Sequence, residues 1–207
     1  MSNISIIGSG NMARAIGTRA VKGGNDVEVA SRDAAKADAL ARTLGSSATT
    51  GEFGAAPVGD IVILAVPYAS AVPVVVQYGD ALAGKVIVDI TNPFNADGTG
   101  LVTGDGTSIA QEVAKAAPAS AHVVKAFNTI FGVVLAQEGR KMDALLAGDD
   151  AHAKANVSAF IDSLGLRPLD VGGLEMARWL EGAGLLVVGL ARHGVANYDF
   201  TLGVSLA

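Results

Sequence analysis

Cysteine is absent from the 207 residues, and that absence alone excludes disulfides, zinc-thiolate sites, iron-sulfur clusters and thiol nucleophiles. It suits a reducing compartment, so a cytoplasmic location is expected. Histidine is scarce at 3 residues, and aromatic side chains make up 5% of the chain. Basic residues are in deficit: 15 Lys and Arg against 20 Asp and Glu leave a formal charge of -5. A nucleic-acid binder carries a basic face, so no nucleic-acid partner is expected, and any phosphate must be held locally. Long apolar runs are missing too. The longest uncharged apolar stretch, Gly182 to Ala191, falls far short of the ~20 residues that span a bilayer. The Ile4 to Ile7 run is too short for the core of a signal peptide. No membrane partner is expected.

The material that is present suits one compact domain. Half the residues are hydrophobic and 17% are charged, which is enough apolar surface to order a chain of this length. The 26 glycines run well above the ~7% average and imply many tight turns or close backbone approaches. Short β-branched runs alternate with helix-compatible segments, the mark of βαβ units and a parallel sheet. Strands are predicted at Ile4 to Ile7, Val27 to Ala30, Ile61 to Val66, Val86 to Ile90 and His122 to Ala126. Helices are predicted at Met12 to Val21, Ala34 to Leu44 (ended by Gly45), Ala69 to Leu82 and Ser108 to Ala117. Further on, Ala144 to Ala147 and Arg167 to Asp170 read as extra edge strands around a helix from Ala151 to Leu164. Leu174 to Arg192 reads as a last helix. The right-handed crossover rule makes this an α/β, doubly wound, mainly parallel Rossmann sheet. Residues 1–207 are expected to form one Rossmann domain, with residues 174–207 as a C-terminal helical appendage packed on it or at a dimer interface.

Gly8-Ser9-Gly10-Asn11-Met12-Ala13 follows the first strand, opens the first helix and is succeeded by a second strand, which is the context a dinucleotide fingerprint demands. Gly8 permits the turn, Gly10 leaves room for a pyrophosphate against bare backbone, and Ala13 allows close helix packing. The helix N-terminus offers free N–H groups and partial positive charge. At the end of the second strand, an NAD site places an acidic residue for the ribose hydroxyl. This chain has Ser31-Arg32 there. A hydroxyl and a forked cation suit a 2'-phosphate, and Lys36 one turn later can add a third contact, so NADP is favoured over NAD. Ser31 or Asp33 can equally cap the second helix.

The substrate belongs outside the carboxyl ends of the central strands. There the chain supplies Val66-Pro67-Tyr68, Thr91-Asn92-Pro93-Phe94 and Ala126-Phe127-Asn128-Thr129-Ile130. Val66 and Pro67 are expected against the cofactor, and Asn92, Pro93, Phe127, Asn128 and Thr129 around the acceptor. No His-carboxylate pair, Tyr-x-x-x-Lys helix or strand-end Lys is evident. His122, His152 and His193 read as structural or exposed, Trp179 as core packing, and Lys125 as a surface residue at a strand end. Neither a catalytic acid or base nor a metal ligand set is predicted. Hydride transfer between rings that manage their own protons fits this, since the cofactors then carry the reactivity.

These residues resemble the NADPH-dependent coenzyme F-420 (8-hydroxy-5-deazaflavin) reductases, also called deazaflavin:NADP oxidoreductases. The resemblance rests on Gly8 to Ala13, Ser31-Arg32 with Lys36, Val66-Pro67, Phe127-Asn128-Thr129 and the segment Gly165 to Gly172. It implies a sheet of eight strands, NADPH held by the glycine loop, the Ser-Arg pair and the Lys, and a deazaflavin lying over the nicotinamide. Lys125 to Thr129 also looks like the cytosolic reductase domain of six-transmembrane ferric reductases, where NADPH reduces a flavin. The acceptor therefore stays open among a deazaflavin, a flavin or iron through flavin, and a small imine or carbonyl as in pyrroline-carboxylate reductases, whose longer helical dimerisation domain is missing here. A non-catalytic NADP-binding sensor is the remaining reading. Finally, Leu180, Leu185, Leu186, Val187, Val188 and Leu190 surround nearly the whole last helix. A helix apolar all round must be buried on more than one side, so a homodimer is expected.

Overall fold

In the computed structural model, which describes residues 2–205, the apolar runs of the first half become strands buried on both faces. Such strands need no polar alternation. Asn3–Ile7 forms β1, Asp26–Ala30 β2, Ile61–Leu64 β4, Val86–Asp89 β5 and His122–Ala126 β6. A short strand missed by pattern reading, β3 at Ala48–Thr50, adds to β2. The second half contributes β7 (Asp143–Gly148) and β8 (Arg167–Asp170). Together they make one eight-stranded sheet in the order β3-β2-β1-β4-β5-β6-β7-β8.

Neighbours are parallel except at β6 and β7, where Lys125 pairs with Ala147 in an antiparallel register. Of the two strands expected at the edge, only β8 lies there; β7 is interior, bonded to β6 and β8. The order reverses between β1 and β4. In an open parallel sheet that switch point leaves a crevice at the carboxyl ends of the strands.

Helices cover both faces. On one side lie α1 (Asn11–Lys22), α2 (Ala34–Leu44), the short α5 (Gly132–Leu135) and α6 (Ala151–Ser163). On the other, α3 (Tyr68–Tyr78) and α4 (Ile109–Ala116) pack on Val62, Leu64, Ile87 and Val123. Capping residues set several starts: Asp33, Ser108 and Asp150 each accept a backbone N–H three residues on, opening α2, α4 and α6.

The predicted last helix splits into a 3-10 turn at Leu174–Met176 and α7 at Ala177–Arg192. Within the chain α7 is buried along one face only, through Ala177, Leu180, Glu181, Gly184, Val187 and Ala191. Trp179, expected in the core, points outward at 67% exposure, as do Leu186 and Leu190. Beyond α7 the tail folds back over the α5 end of the sheet, where Tyr198 and Phe200 meet Phe131 edge-on. Among the described residues, no helix is long and apolar enough to cross a membrane.

Candidate cofactor and hydride-transfer site

Two adjoining clefts open at the switch point, and they share Gly10, Ala65, Val66 and Pro67. The first, of about 200 Å³, runs from Gly8, Ser9 and Gly10 to Ser31 and Arg32, and across to Phe53, Ser70 and Val74. The second, about 440 Å³, continues past Asn11 and Met12 to Tyr68, Ile90, Thr91 and Asn92. The glycine motif and the ends of β2, β4 and β5 thus meet along one elongated groove.

Each glycine of the motif answers to a different neighbour. Gly8 sits at φ 127, and a Cβ there would lie 2.1 Å from the Ala65 carbonyl oxygen, so only glycine fits between β1 and β4. At Gly10 a Cβ would meet nothing within 4 Å; the space beside it belongs to the cleft. The first bond of the α1 ladder runs from Arg14 N–H to Gly10 O at 3.0 Å, and no side chain caps the helix. The N–H groups of Asn11, Met12 and Ala13 therefore precede the ladder at the positive end of the helix, where an anion is stabilised.

At the β2 end, Ser9 Oγ donates to Ser31 Oγ at 3.2 Å and links the two loops. Arg32 is exposed, lines the cleft and forms no ion pair among the described residues. A free guanidinium, a hydroxyl and uncapped helix N–H groups are the donors that a 2'-phosphorylated dinucleotide requires. Lys36 lies outside this set: its ammonium pairs with Asp33 at 3.2 Å, and its backbone N–H bonds to the same capping carboxylate. That cap holds the Asp33 carboxyl below its ordinary range, with the Lys36 backbone bond as the largest cause. Phe53 was missed by sequence reading. It follows the unrecognised β3, stacks edge-on against Tyr78 at 5.5 Å and gives the phosphate end an apolar wall.

The other cleft is notable for its chemistry. Its lining contains no Asp, Glu, Lys, Arg or His; Tyr68, at the start of α3, is the ionisable side chain there. Asn92 is half-buried on its wall. The remaining expected acceptor residues sit deeper. Phe127 is 0% exposed and packed edge-on against Phe160, with its backbone at φ 61, so it belongs to the core and not to the rim. Pro93 and Thr129 are buried as well. Asn128 is 6% exposed, and its Nδ2 donates to Asn92 Oδ1 at 2.9 Å and to the Leu180 carbonyl at 2.8 Å. Asn92 Nδ2 returns a bond to the Asn128 carbonyl at 2.8 Å. The two amides form a clasp that ties the ends of β5 and β6 to α7.

Lys125, expected at the surface, is fully buried. It is held by Asp89 and Glu181 at 2.8 and 2.9 Å. The histidines lie outside both clefts.

A Rossmann sheet with an uncapped glycine loop, a serine-arginine pair after β2 and an adjoining cleft free of charged side chains defines the class as a dinucleotide-binding Rossmann protein. Comparison with known proteins points to one family. Residues 3–93 match the model of the coenzyme F420-dependent NADP oxidoreductases. The F420-dependent NADP reductase of Methanocaldococcus jannaschii is 34% identical over 66% of this chain and 64% of its own length. The metalloreductase STEAP3 of Rattus norvegicus is 33% identical over 86% of this chain and 35% of its own. Among solved structures, a candidate F420-dependent NADP reductase from Arthrobacter sp. FB24 superimposes with a TM-score of 0.84 at 25% identity, covering 99% of this chain and 100% of that one. The chain is similar to the coenzyme F420-dependent NADP oxidoreductases. It spans about a third of the metalloreductase and under two thirds of the Methanocaldococcus reductase.

Proposed function

We propose that this protein passes a hydride between NADP(H) and a deazaflavin of the coenzyme F420 type, without an essential acid or base. The observation that carries the reading is the lining of the ring-binding cleft, which offers amide, hydroxyl and apolar groups but no carboxylate, amine or imidazole. Ring-to-ring hydride transfer needs orientation more than proton transfer, so such a wall suffices.

In this reading the α1 N-terminus and Gly10 hold the pyrophosphate, and Ser31 and Arg32 take the 2'-phosphate. Val66 and Pro67 bound the path between the two ends of the groove. Asn92 and Thr91 orient the nicotinamide on one side, leaving the other to a planar acceptor. When bound, NADPH supplies the hydride. The reduced deazaflavin takes up its balancing proton on a ring nitrogen from water, so no side chain need deliver it.

Two observations favour other acceptors. The similarity to the metalloreductase supports an ordinary flavin, and the Tyr68 phenol at the cleft edge supports a small imine or carbonyl, whose product must gain a proton. An NADPH oxidation assay with coenzyme F420, FMN, FAD and small imines and carbonyls separates them. The proposal expects fast turnover with the deazaflavin and little change in Tyr68→Phe. Turnover confined to imines or carbonyls and abolished by Tyr68→Phe would overturn it. Binding of NADPH with no turnover on any acceptor would leave the sensor reading in its place.

A further inference from the structure

Three charged side chains lie where neither solvent nor hydride chemistry reaches them. Asp89 closes β5, Lys125 stands in β6 and Glu181 descends from α7, each 0% exposed. Lys125 Nζ donates to Asp89 Oδ2 at 2.8 Å, to Glu181 Oε1 at 2.9 Å and to the Thr91 carbonyl at 2.5 Å. Its three protons are thereby used. Glu181 also accepts the Ile109 N–H at the start of α4, at 3.1 Å. Burial pushes the Glu181 carboxyl up, and Lys125 opposes it. A buried cluster of this kind adds little net stability, since apolar side chains of similar volume often do as well. Its effect is therefore sought in what it holds.

The bonds converge on one residue. Thr91 N–H donates to Asp89 Oδ1 at 3.0 Å, and its carbonyl accepts from Lys125, so both backbone groups of Thr91 are fixed by the cluster. Thr91 and its neighbour Asn92 form the wall of the ring-binding cleft. The same helix supports Asn92 from behind: Leu180 holds Asn128, and a Cβ at Gly184 would come within 2.9 Å of Asn92 Oδ1. The helix and the wall are in flush contact, and the phosphate-end residues Ser31 and Arg32 take no part in it.

We propose that Lys125, with Asp89 and Glu181, is a positioning group for the ring-binding end of the cofactor cleft, and that α7 is the strut through which it acts. The inference rests on the NADP reading above. The nicotinamide half of the cofactor depends on the triad; the adenosine-phosphate half does not.

The test compares NADPH with adenosine 2',5'-bisphosphate, which lacks the nicotinamide. Both are titrated into the wild-type chain, Glu181→Gln, Lys125→Met and the neutral triple variant Asp89→Asn, Lys125→Met, Glu181→Gln. The triple variant strands no buried charge, so it carries the comparison where Lys125→Met alone fails to fold. The expected result is NADPH affinity reduced about tenfold, the scale of a slightly misplaced supporting group. The bisphosphate should stay within about twofold, and the fluorescence of the bound nicotinamide should change. Parallel loss of both ligands would reduce the triad to a part of the fold, and unchanged NADPH affinity would remove any positioning effect; either result overturns the inference. A wild-type chain that binds neither ligand overturns the NADP reading first and this inference with it.

Discussion

Gly8 and Gly10 stand two positions apart and answer to different demands, which predicts different phenotypes for the same substitution. Gly8→Ala must place a methyl group against the Ala65 carbonyl in a left-handed backbone region. Strain of this type costs about 1 to 3 kcal/mol or more, so a clear fall in melting temperature is expected even without cofactor. Gly10→Ala meets open space. Its melting temperature should hold while NADPH binding weakens, because the methyl group enters the volume meant for the pyrophosphate. Comparing melts with titrations separates the two. Arg32 acts on one ligand group. Arg32→Ala removes one or two charge-assisted hydrogen bonds of about 1.5 to 3 kcal/mol each, so NADPH should weaken roughly tenfold to more than a hundredfold while NADH hardly changes. Equal affinity of the variant and the wild type for NADPH would sink the 2'-phosphate assignment.

Elements were legible in the sequence to the degree that a local pattern defined them. Ile61–Leu64 and Val86–Asp89 announce themselves as buried parallel strands, and Ala34–Leu44 sits between a capping Asp33 and Gly45. Ala48–Thr50 is short, polar and partly exposed, so no pattern marks it, and Phe53 beyond it was lost with it. Lys125 was misplaced for a different reason: its partners lie 36 and 56 residues away, and only the tertiary fold brings them together. Phe127 and Trp179 were exchanged, rim for core and core for surface, since hydrophobicity alone does not say which side of a turn or helix faces inward. The tail gives an element-scale prediction. Asp143 accepts from Arg167 at 2.6 and 2.7 Å and from the Val204 N–H at 2.6 Å. The Arg167 guanidinium is the chief cause holding its carboxyl below the usual carboxylate range. A lowered carboxyl pKa contributes stability above its unfolded value, about 3.9, and that contribution is lost as the pH falls through the folded value. Acidification below about pH 4 should thus free the tail, and Asp143→Asn should free it at neutral pH. Because Arg167 is half exposed, the effect is modest: chymotryptic cleavage after Tyr198 or Phe200 should speed up roughly fivefold. An unchanged cleavage rate in Asp143→Asn would show that the aromatic contacts with Phe131 alone hold the tail.

At the scale of the whole molecule, α7 has two faces in different surroundings. The inward face meets the sheet and carries the strut described above. The outward face carries Trp179, Leu186 and Leu190, exposed at 67%, 73% and 47% and spaced so that they share one side of the helix. A contiguous apolar stripe on an otherwise acidic chain is an interface feature more than a solvated surface. We propose that a second copy of this chain covers it. An isologous contact, in which the same stripe faces itself across a two-fold axis, closes after two copies and leaves no apolar patch open. The expected particle in light scattering at micromolar concentration is about twice the 20.8 kDa of the chain. Leu186→Glu sets two like charges against each other at such a contact and should give monomers. Because Leu186 lies on the outward side of α7, the variant should keep its fold and its affinity for adenosine 2',5'-bisphosphate. A wild-type monomer at these concentrations refutes the dimer. If Leu186→Glu is monomeric and also loses the nicotinamide-dependent part of NADPH affinity, the partner's support reaches the ring-binding wall through the same helix that Lys125 and Glu181 hold from within.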